Sequence, residues 1–202
     1  MIEQRYDAAD YVTNALSQAR VVIESLNVLS SEIVRAARIL SFSLASGGQV
    51  LTCGNGGSAA DALHLTAELV GRYERDRAPL ASTTLGCNLS SLTAIANDYG
   101  YDRVFSRQLG AIARPGDVLV AISTSGASPS VLNAIHAARD KDVRVVGLTG
   151  GTPAAMMSLC DCCIEVGSVD TPRIQEAHAL LLHMLCGIVE LDMFGSPPSV
   201  AR

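Results

Sequence analysis

A chain of 202 residues that is 49% hydrophobic, with 17 glycines and a formal net charge of −5, can bury a substantial core and is too apolar for disorder. The acidic balance excludes a broad nucleic-acid surface, and no uninterrupted apolar run spans a bilayer, since His178 and His183 break the stretch 177–189. No cationic region precedes an apolar run at the N-terminus, so the reading expects no signal peptide, a cytoplasmic location, and neither membrane nor nucleic acid as partner.

The first predicted element is a helix over 8–29, in which Val12, Ala15, Leu16, Ala19, Val22, Ile23 and Leu26 recur at three and four. Ser30 or Ser31 with Glu32 then resembles the cap of a second helix through Ile33, Ala37, Leu40 and Leu44, which stops at Gly47-Gly48. Both helices are apolar on more than one face, which predicts contact with another subunit. Strand-like runs follow at 49–53, 80–84, 117–122, 144–149 and 162–166. Helical segments occur at about 58–74, 88–97, 102–113, 129–141, 153–159 and 173–194, and the residues from Gly195 through Pro198 read as a frayed tail. The runs at 49–53, 117–122 and 144–149 are continuously apolar rather than alternating, as in a parallel sheet covered on both faces. The expected fold is therefore α/β, a three-layer α/β/α sandwich on a five-stranded parallel sheet. It forms one domain over 1–202 with a helical extension at about 1–47, and its ligands bind at the carboxyl ends of the strands.

Two loops carry the chemistry. Cys53-Gly54-Asn55-Gly56-Gly57-Ser58 and Ser123-Thr124-Ser125-Gly126 each join a buried strand to a helix. A glycine turn lets backbone approach a ligand, a helix N-terminus offers free N–H groups, and neutral hydroxyls complete an anion cradle. Ser123, Thr124, Ser125 and Ser128 supply four hydroxyls within six positions. One such loop is as well explained by an ordinary serine cap, whereas two favour a phosphorylated small molecule.

Down the helix that starts near Ser58, His64 and Glu68 stand four apart, on one face and able to converge on an ion of the zinc type. A surface His–Glu pair is the alternative. His178 and His183 punctuate the last helix, where Gln175 and His183, eight apart, lie ~12 Å from each other along the axis. One metal takes both only by long reach, a displaced helix start, or donation from different subunits. Six cysteines complete the inventory. Cys160, Cys162 and Cys163 cluster without a second Cys/His pair at zinc spacing, and are expected as small core residues in a reducing compartment.

The run from Cys53 to His64, then Glu68, Asn97-Asp98-Tyr99-Gly100, Ser123-Thr124-Ser125-Gly126 and Arg173-Ile174-Gln175-Glu176, resembles the phosphoheptose isomerases among the sugar-isomerase (SIS) domain proteins. The match keeps the family's order over nearly the whole chain. It implies conversion of sedoheptulose 7-phosphate to D-glycero-D-manno-heptose 7-phosphate, the first step toward nucleotide-activated heptose, by a homotetramer with sites at its interfaces. It further implies one zinc per site on His64, Glu68, Gln175 and His183. Substrate contacts are implied at Asn55, Gly56, Gly57, Ser58, Glu68, Asn97, Asp98, Ser123, Thr124, Ser125, Ser128 and Gln175, with Glu68 as base and His183 as acid. The chain departs from some members at Pro172, where they carry an aspartate; Asp170 is not taken as its substitute. Two rivals accompany this reading: a non-catalytic SIS protein associated with the replication initiator, and an isomerase of another sugar phosphate.

Overall fold

The computed structural model describes residues 7–151 and 155–195. Two helices lead, α1 (Ala8–Ser25) and α2 (Ser30–Ala45), joined by a 3₁₀ turn at Leu26–Leu29. The single helix expected over 8–29 therefore tightens after Ser25. Polar side chains account for this: Ser25 Oγ donates to Val22 O, Asn27 Nδ2 to Glu24 O and Ser30 Oγ to Asn27 O, occupying carbonyls of the last turn. The expected serine cap of α2 is also corrected. Leu29 holds the cap position, Ser30 donates backwards, and Ser31 donates to the Glu32 carboxylate.

The rest alternates: β1 (Val50–Gly54), α3 (Gly57–Val70), β2 (Ser82–Thr84), α4 (Leu89–Tyr99), α5 (Val104–Ile112), β3 (Val118–Ser123), α6 (Pro129–Arg139), β4 (Arg144–Gly150), β5 (Cys162–Val166) and α7 (Thr171–Phe194). Short 3₁₀ turns at Tyr101–Arg103 and Ala155–Leu159 replace parts of two expected helices. The expectations at 152–154 and beyond Gly195 lie outside the described residues.

All five strands pair in parallel, in the order β2-β1-β3-β4-β5. The continuous apolar runs are explained by burial on both faces. Val118, Val120 and Ile122 of β3 meet the core beneath α2, α3 and α7, while Leu119 and Ala121 meet a second core beneath α5 and α6. From β1 the chain winds outward to β2, then returns through β3 and winds the other way. The two directions part between β1 and β3, where an open α/β sheet leaves a crevice at its carboxyl edge.

A buried hydroxyl cluster sets α3 on this sheet. Thr52 Oγ1 lies 3.0 Å from Ala62 O and 2.9 Å from Thr84 Oγ1, and Thr84 Oγ1 donates to Thr66 at 2.8 Å. On the same side, α7 is long and apolar enough to cross a membrane by composition. It packs instead as a core helix, burying Ile174, Ala177, Leu181, Leu185 and Val189 against α2 and α3.

Candidate active site

Both loops emerge at the crevice. β1 ends at Gly54, Gly56 turns with φ 56°, and α3 starts at Gly57. The Gln175 carboxamide occupies the space where a Cβ on Gly57 would stand, so a larger residue here would displace it. β3 ends at Ser123, Gly126 turns with φ 60°, and Pro129 opens α6. Ser128 occupies the cap position of α6, where its carbonyl accepts Val131 N and Leu132 N but its hydroxyl accepts no helix N–H. It accepts Asn55 Nδ2 at 2.8 Å, and Ser130 Oγ accepts the same nitrogen at 2.9 Å. The Tyr101 hydroxyl donates to Asn55 Oδ1 at 2.8 Å. Asn55 is thus a brace across the two loops, with three of its four bonding positions in use. Ser130 and Tyr101 escaped the sequence reading, although Ser130 stands two residues past a serine already singled out.

The structure brings Asn55, Gly56, Gly57, Ser123, Thr124, Ser125 and Ser128 to one end of the sheet. Ser58 lies beneath them, only 4% exposed, with its backbone against Gly54. Asn97 and Asp98 sit exposed on the last turn of α4, bonded to each other at 2.8 Å. Beneath the second loop His178 is wholly buried. Its Nε2 faces Thr149 O at 3.4 Å, and Thr149 pairs with Ser123 across the sheet. Burial holds His178 down to about 4, against a smaller opposing pull from the Thr149 carbonyl.

Farther along α3 is a second cluster. His64 Nε2 lies 3.2 Å from Glu68 Oε1 and 3.3 Å from His183 Nε2, and one ligand atom from each residue falls within 4.8 Å of the others. Four ligands tetrahedrally disposed at the usual zinc distances of about 2.0–2.1 Å stand roughly 3.3 Å apart. Two of the three separations match that spacing and the third is within 4.8 Å, so two imidazole nitrogens and a carboxylate oxygen are placed to close on such an ion and leave a position open. Gln175 is not among them. It lies on the first turn of α7 against Gly57, roughly 10 Å along α3 from His64. One turn before His64, Asp61 buries Oδ2 without a partner, and burial raises its carboxyl to about 6 against the opposing influence of His64.

The His183 ring is held from outside. Tyr73 stacks on it with centroids 5.4 Å apart and planes at 25°, while His64 meets it edge-on at 4.9 Å. Tyr73 belongs to the loop after α3, and a buried ion pair pins that loop. Glu190 of α7 accepts Tyr73 N at 3.1 Å, Glu74 N at 3.3 Å and Arg77 Nε at 2.8 Å. Burial pushes the Glu190 carboxyl up, but the two backbone N–H groups and Arg77 together bring it below its ordinary range. The Arg77 guanidinium also caps the end of α3, donating to Glu68 O and Leu69 O at 2.8 Å. One ion pair therefore fixes the turn that bears Glu68 and the ring that packs His183.

Comparison with known proteins agrees with this geometry. Residues 10–150 match the SIS domain family model. The phosphoheptose isomerase of Rhodospirillum rubrum is 58% identical over 158 residues, 78% of this chain and 84% of that protein. That of Bordetella avium is 47% identical over 94% of this chain and 98% of its own. Among solved structures, the phosphoheptose isomerase of Neisseria gonorrhoeae superposes with a TM-score of 0.86 at 39% identity, covering 91% of this chain and 99% of the other. That of Francisella tularensis superposes at 0.88 with 34% identity, covering 91% and 98%. The chain belongs to the SIS-domain family and, within it, to the phosphoheptose isomerases.

Proposed function

We propose that this protein is an aldose–ketose isomerase that converts sedoheptulose 7-phosphate to D-glycero-D-manno-heptose 7-phosphate through a cis-enediol. The observation that carries the reading is the convergence of His183 with Glu68 and His64 of the helix that leaves the first glycine loop, in a chain 47% identical to a phosphoheptose isomerase along almost its whole length. The reaction moves a proton from C1 of the ketose to C2 and another from O1 to O2. Glu68 takes the carbon-bound proton and returns it to the neighbouring carbon, while His183 relays the oxygen proton. Ser123, Thr124, Ser125 and Ser128 hold the phosphate at the N-terminus of α6, with Asn55 keeping the two loops in register. Retention of both proton-transfer groups speaks against a purely binding role.

His64, Glu68 and His183 would hold a zinc ion, with Gln175 of a neighbouring subunit as the further ligand. Bound there, zinc would polarise the carbonyl and hydroxyl of the substrate. Glu68 presents Oε1 to His64, which leaves Oε2 for the proton. The separation of Gln175 from His64 within one chain supports sites completed between subunits. So does a groove of about 560 Å³ beside His183, lined by Ile33, Val34, Leu180, Met184 and Ile188. Val12, Leu16, Val21 and Val28 are exposed on α1 and the turn after it, which supports a homotetramer. The same reading places the enzyme in the cytoplasm, with α7 as a core helix.

The test is to incubate the zinc-loaded protein with sedoheptulose 7-phosphate and with shorter ketose phosphates, and to detect aldose. Product from the seven-carbon ketose above all others is expected. Turnover only of a shorter ketose would replace the substrate, and no turnover of any would leave a binding protein.

A further inference from the structure

Away from this site, on the far side of β4, Cys160-Asp161-Cys162-Cys163 closes the 3₁₀ turn and opens β5. Its first and last thiols meet. A Cβ on Gly147 of β4 stands 2.8 Å from Cys160 Sγ and 2.9 Å from Cys163 Sγ, so both sulfurs occupy the space that this glycine leaves. Both residues are half-buried, where Cys162 between them is buried. Cys162 faces the opposite side of the strand, where its thiol donates to Glu32 O. Cys53 and Cys186 are buried, and Cys87 is exposed.

The segment between the two sulfurs is anchored on every side. Asp161 N donates to Val145 O at 2.9 Å and Asp161 Oδ2 accepts Val145 N at 2.7 Å. Arg35 donates to Asp161 O at 2.6 Å, Arg139 to Leu159 O at 2.8 Å, and Cys160 N to Met156 O at 3.1 Å. Neither cysteine has to be recruited from a mobile loop. The ordering entropy that a disulfide normally requires is already spent in the fold.

We propose that Cys160 and Cys163 are a redox-active dithiol that a small disulfide of the glutathione type oxidises reversibly to an intramolecular disulfide. The two steps follow from the asymmetry of the pair. The neighbouring Cys160 thiol lowers the Cys163 thiol, against the opposing cost of burial, whereas Cys163 and burial raise Cys160. Cys163 is therefore the attacking thiolate. It displaces one glutathione thiolate from glutathione disulfide and becomes the mixed disulfide. Cys160 then gives up its proton and attacks the Cys163 sulfur, releasing the second glutathione. Two electrons and two protons pass from the pair, one disulfide forms and one is reduced. The product ties the 3₁₀ turn to β5, and that turn also donates Met156 N to Gly126 O of the second loop.

The experiment titrates the folded full-length protein with glutathione and glutathione disulfide, blocks remaining thiols, and maps linkages after unfolding and cleavage before Asp161, which separates Cys160 from the other two. The expected result is a 2 Da loss with the two fragments held together through Cys163, reversed by excess glutathione and unchanged in Cys162→Ala. Cys160→Ser should trap glutathione on Cys163, while Cys163→Ser should leave Cys160 largely unmodified. A link through Cys162, or glutathione on Cys87 with Cys160 and Cys163 still free at the most oxidising ratio, overturns the proposal. The wild-type map decides even if a serine variant fails to fold, and it is independent of the isomerase reading.

Discussion

The two ends of α3 are built on opposite terms. At its N-terminus the loops are braced from within one chain: Asn55 satisfies Ser128, Ser130 and Tyr101 together, and a wholly buried histidine supports the strand below. Near its C-terminus three ligand atoms crowd together on a half-exposed surface, and Gln175 lies at the other end of the helix. The first arrangement is complete within one chain, its loops already tied to each other. The second leaves a ligand position open, which in the proposed reading substrate, metal or a second subunit fills.

The largest effect should come from the unfinished end. Glu68→Gln keeps the shape of the side chain but cannot take a proton from carbon, so turnover should fall about a thousandfold or more. Unfolding should be almost unchanged, since a half-exposed pair with His64 contributes little. Near-normal turnover in the folded variant would move the base elsewhere. Mixing Glu68→Gln chains with Gln175→Ala chains, each inactive alone, should restore part of the activity if Gln175 acts in a neighbour's site. No recovery in co-assembled oligomers would return Gln175 to its own chain.

The finished end should respond through stability. His178 titrates at about 4 in the fold, against 6.5 unfolded. Between these values the unfolded chain takes up a proton that the native state refuses, so stability is intact above pH 6.5 and falls as pH drops toward 4. The shift amounts to about 3 kcal/mol. In urea unfolding, the advantage of the wild type over His178→Gln should shrink by about that much between pH 7 and pH 4. A constant difference would mean that His178 is protonated in the fold. His183, five residues on and half-buried, shows that helical spacing alone cannot sort a structural histidine from a site histidine.

The same contrast governs how far sequence reasoning reaches. The sheet is legible because burial on both faces leaves apolar runs such as Val118 to Ile122, and the loops because glycine and serine cluster at strand ends. Helix ends are less so: Ser30 and Ser31 suit a cap but bond elsewhere. Asn55 is visible as a polar loop residue, whereas its service as a brace depends on Ser130 and Tyr101, which other elements supply. Arg77 and Glu190 are 113 positions apart, and no periodicity links them. The available signal was Glu190 directly after the apolar stretch from Leu185 to Val189, since a buried charge needs a partner.

A third measurement separates anion binding from sugar recognition. Removing the Ser125 and Ser128 hydroxyls together should weaken heptose phosphate and inorganic phosphate alike, by roughly thirtyfold if each bond to the charged oxygens contributes about 1 kcal/mol. Loss of affinity for the sugar phosphate alone would mean that this loop reads hydroxyls. Because Ser128 also accepts Asn55, the single Ser125→Ala variant isolates the anion contribution from damage to the brace.

The smallest effect tests whether the unfinished end has a scaffold of its own. Tyr73 meets His183 through its ring face, and Glu190 fixes the Tyr73 backbone. Tyr73→Phe keeps the ring and should leave kcat within twofold. Tyr73→Leu removes the plane against which the imidazole rests and should lower kcat about tenfold with little change in KM, about 1.4 kcal/mol and within the usual worth of an aromatic contact. A direct reading comes from the ring-proton resonances of selectively labelled His183, which the Tyr73 ring current displaces; they should shift in the leucine variant and hold in the phenylalanine one. If both variants leave the resonances and kcat unchanged, His64 and the bound ligands alone orient His183. If KM rises instead, Tyr73 is part of the sugar's own surface.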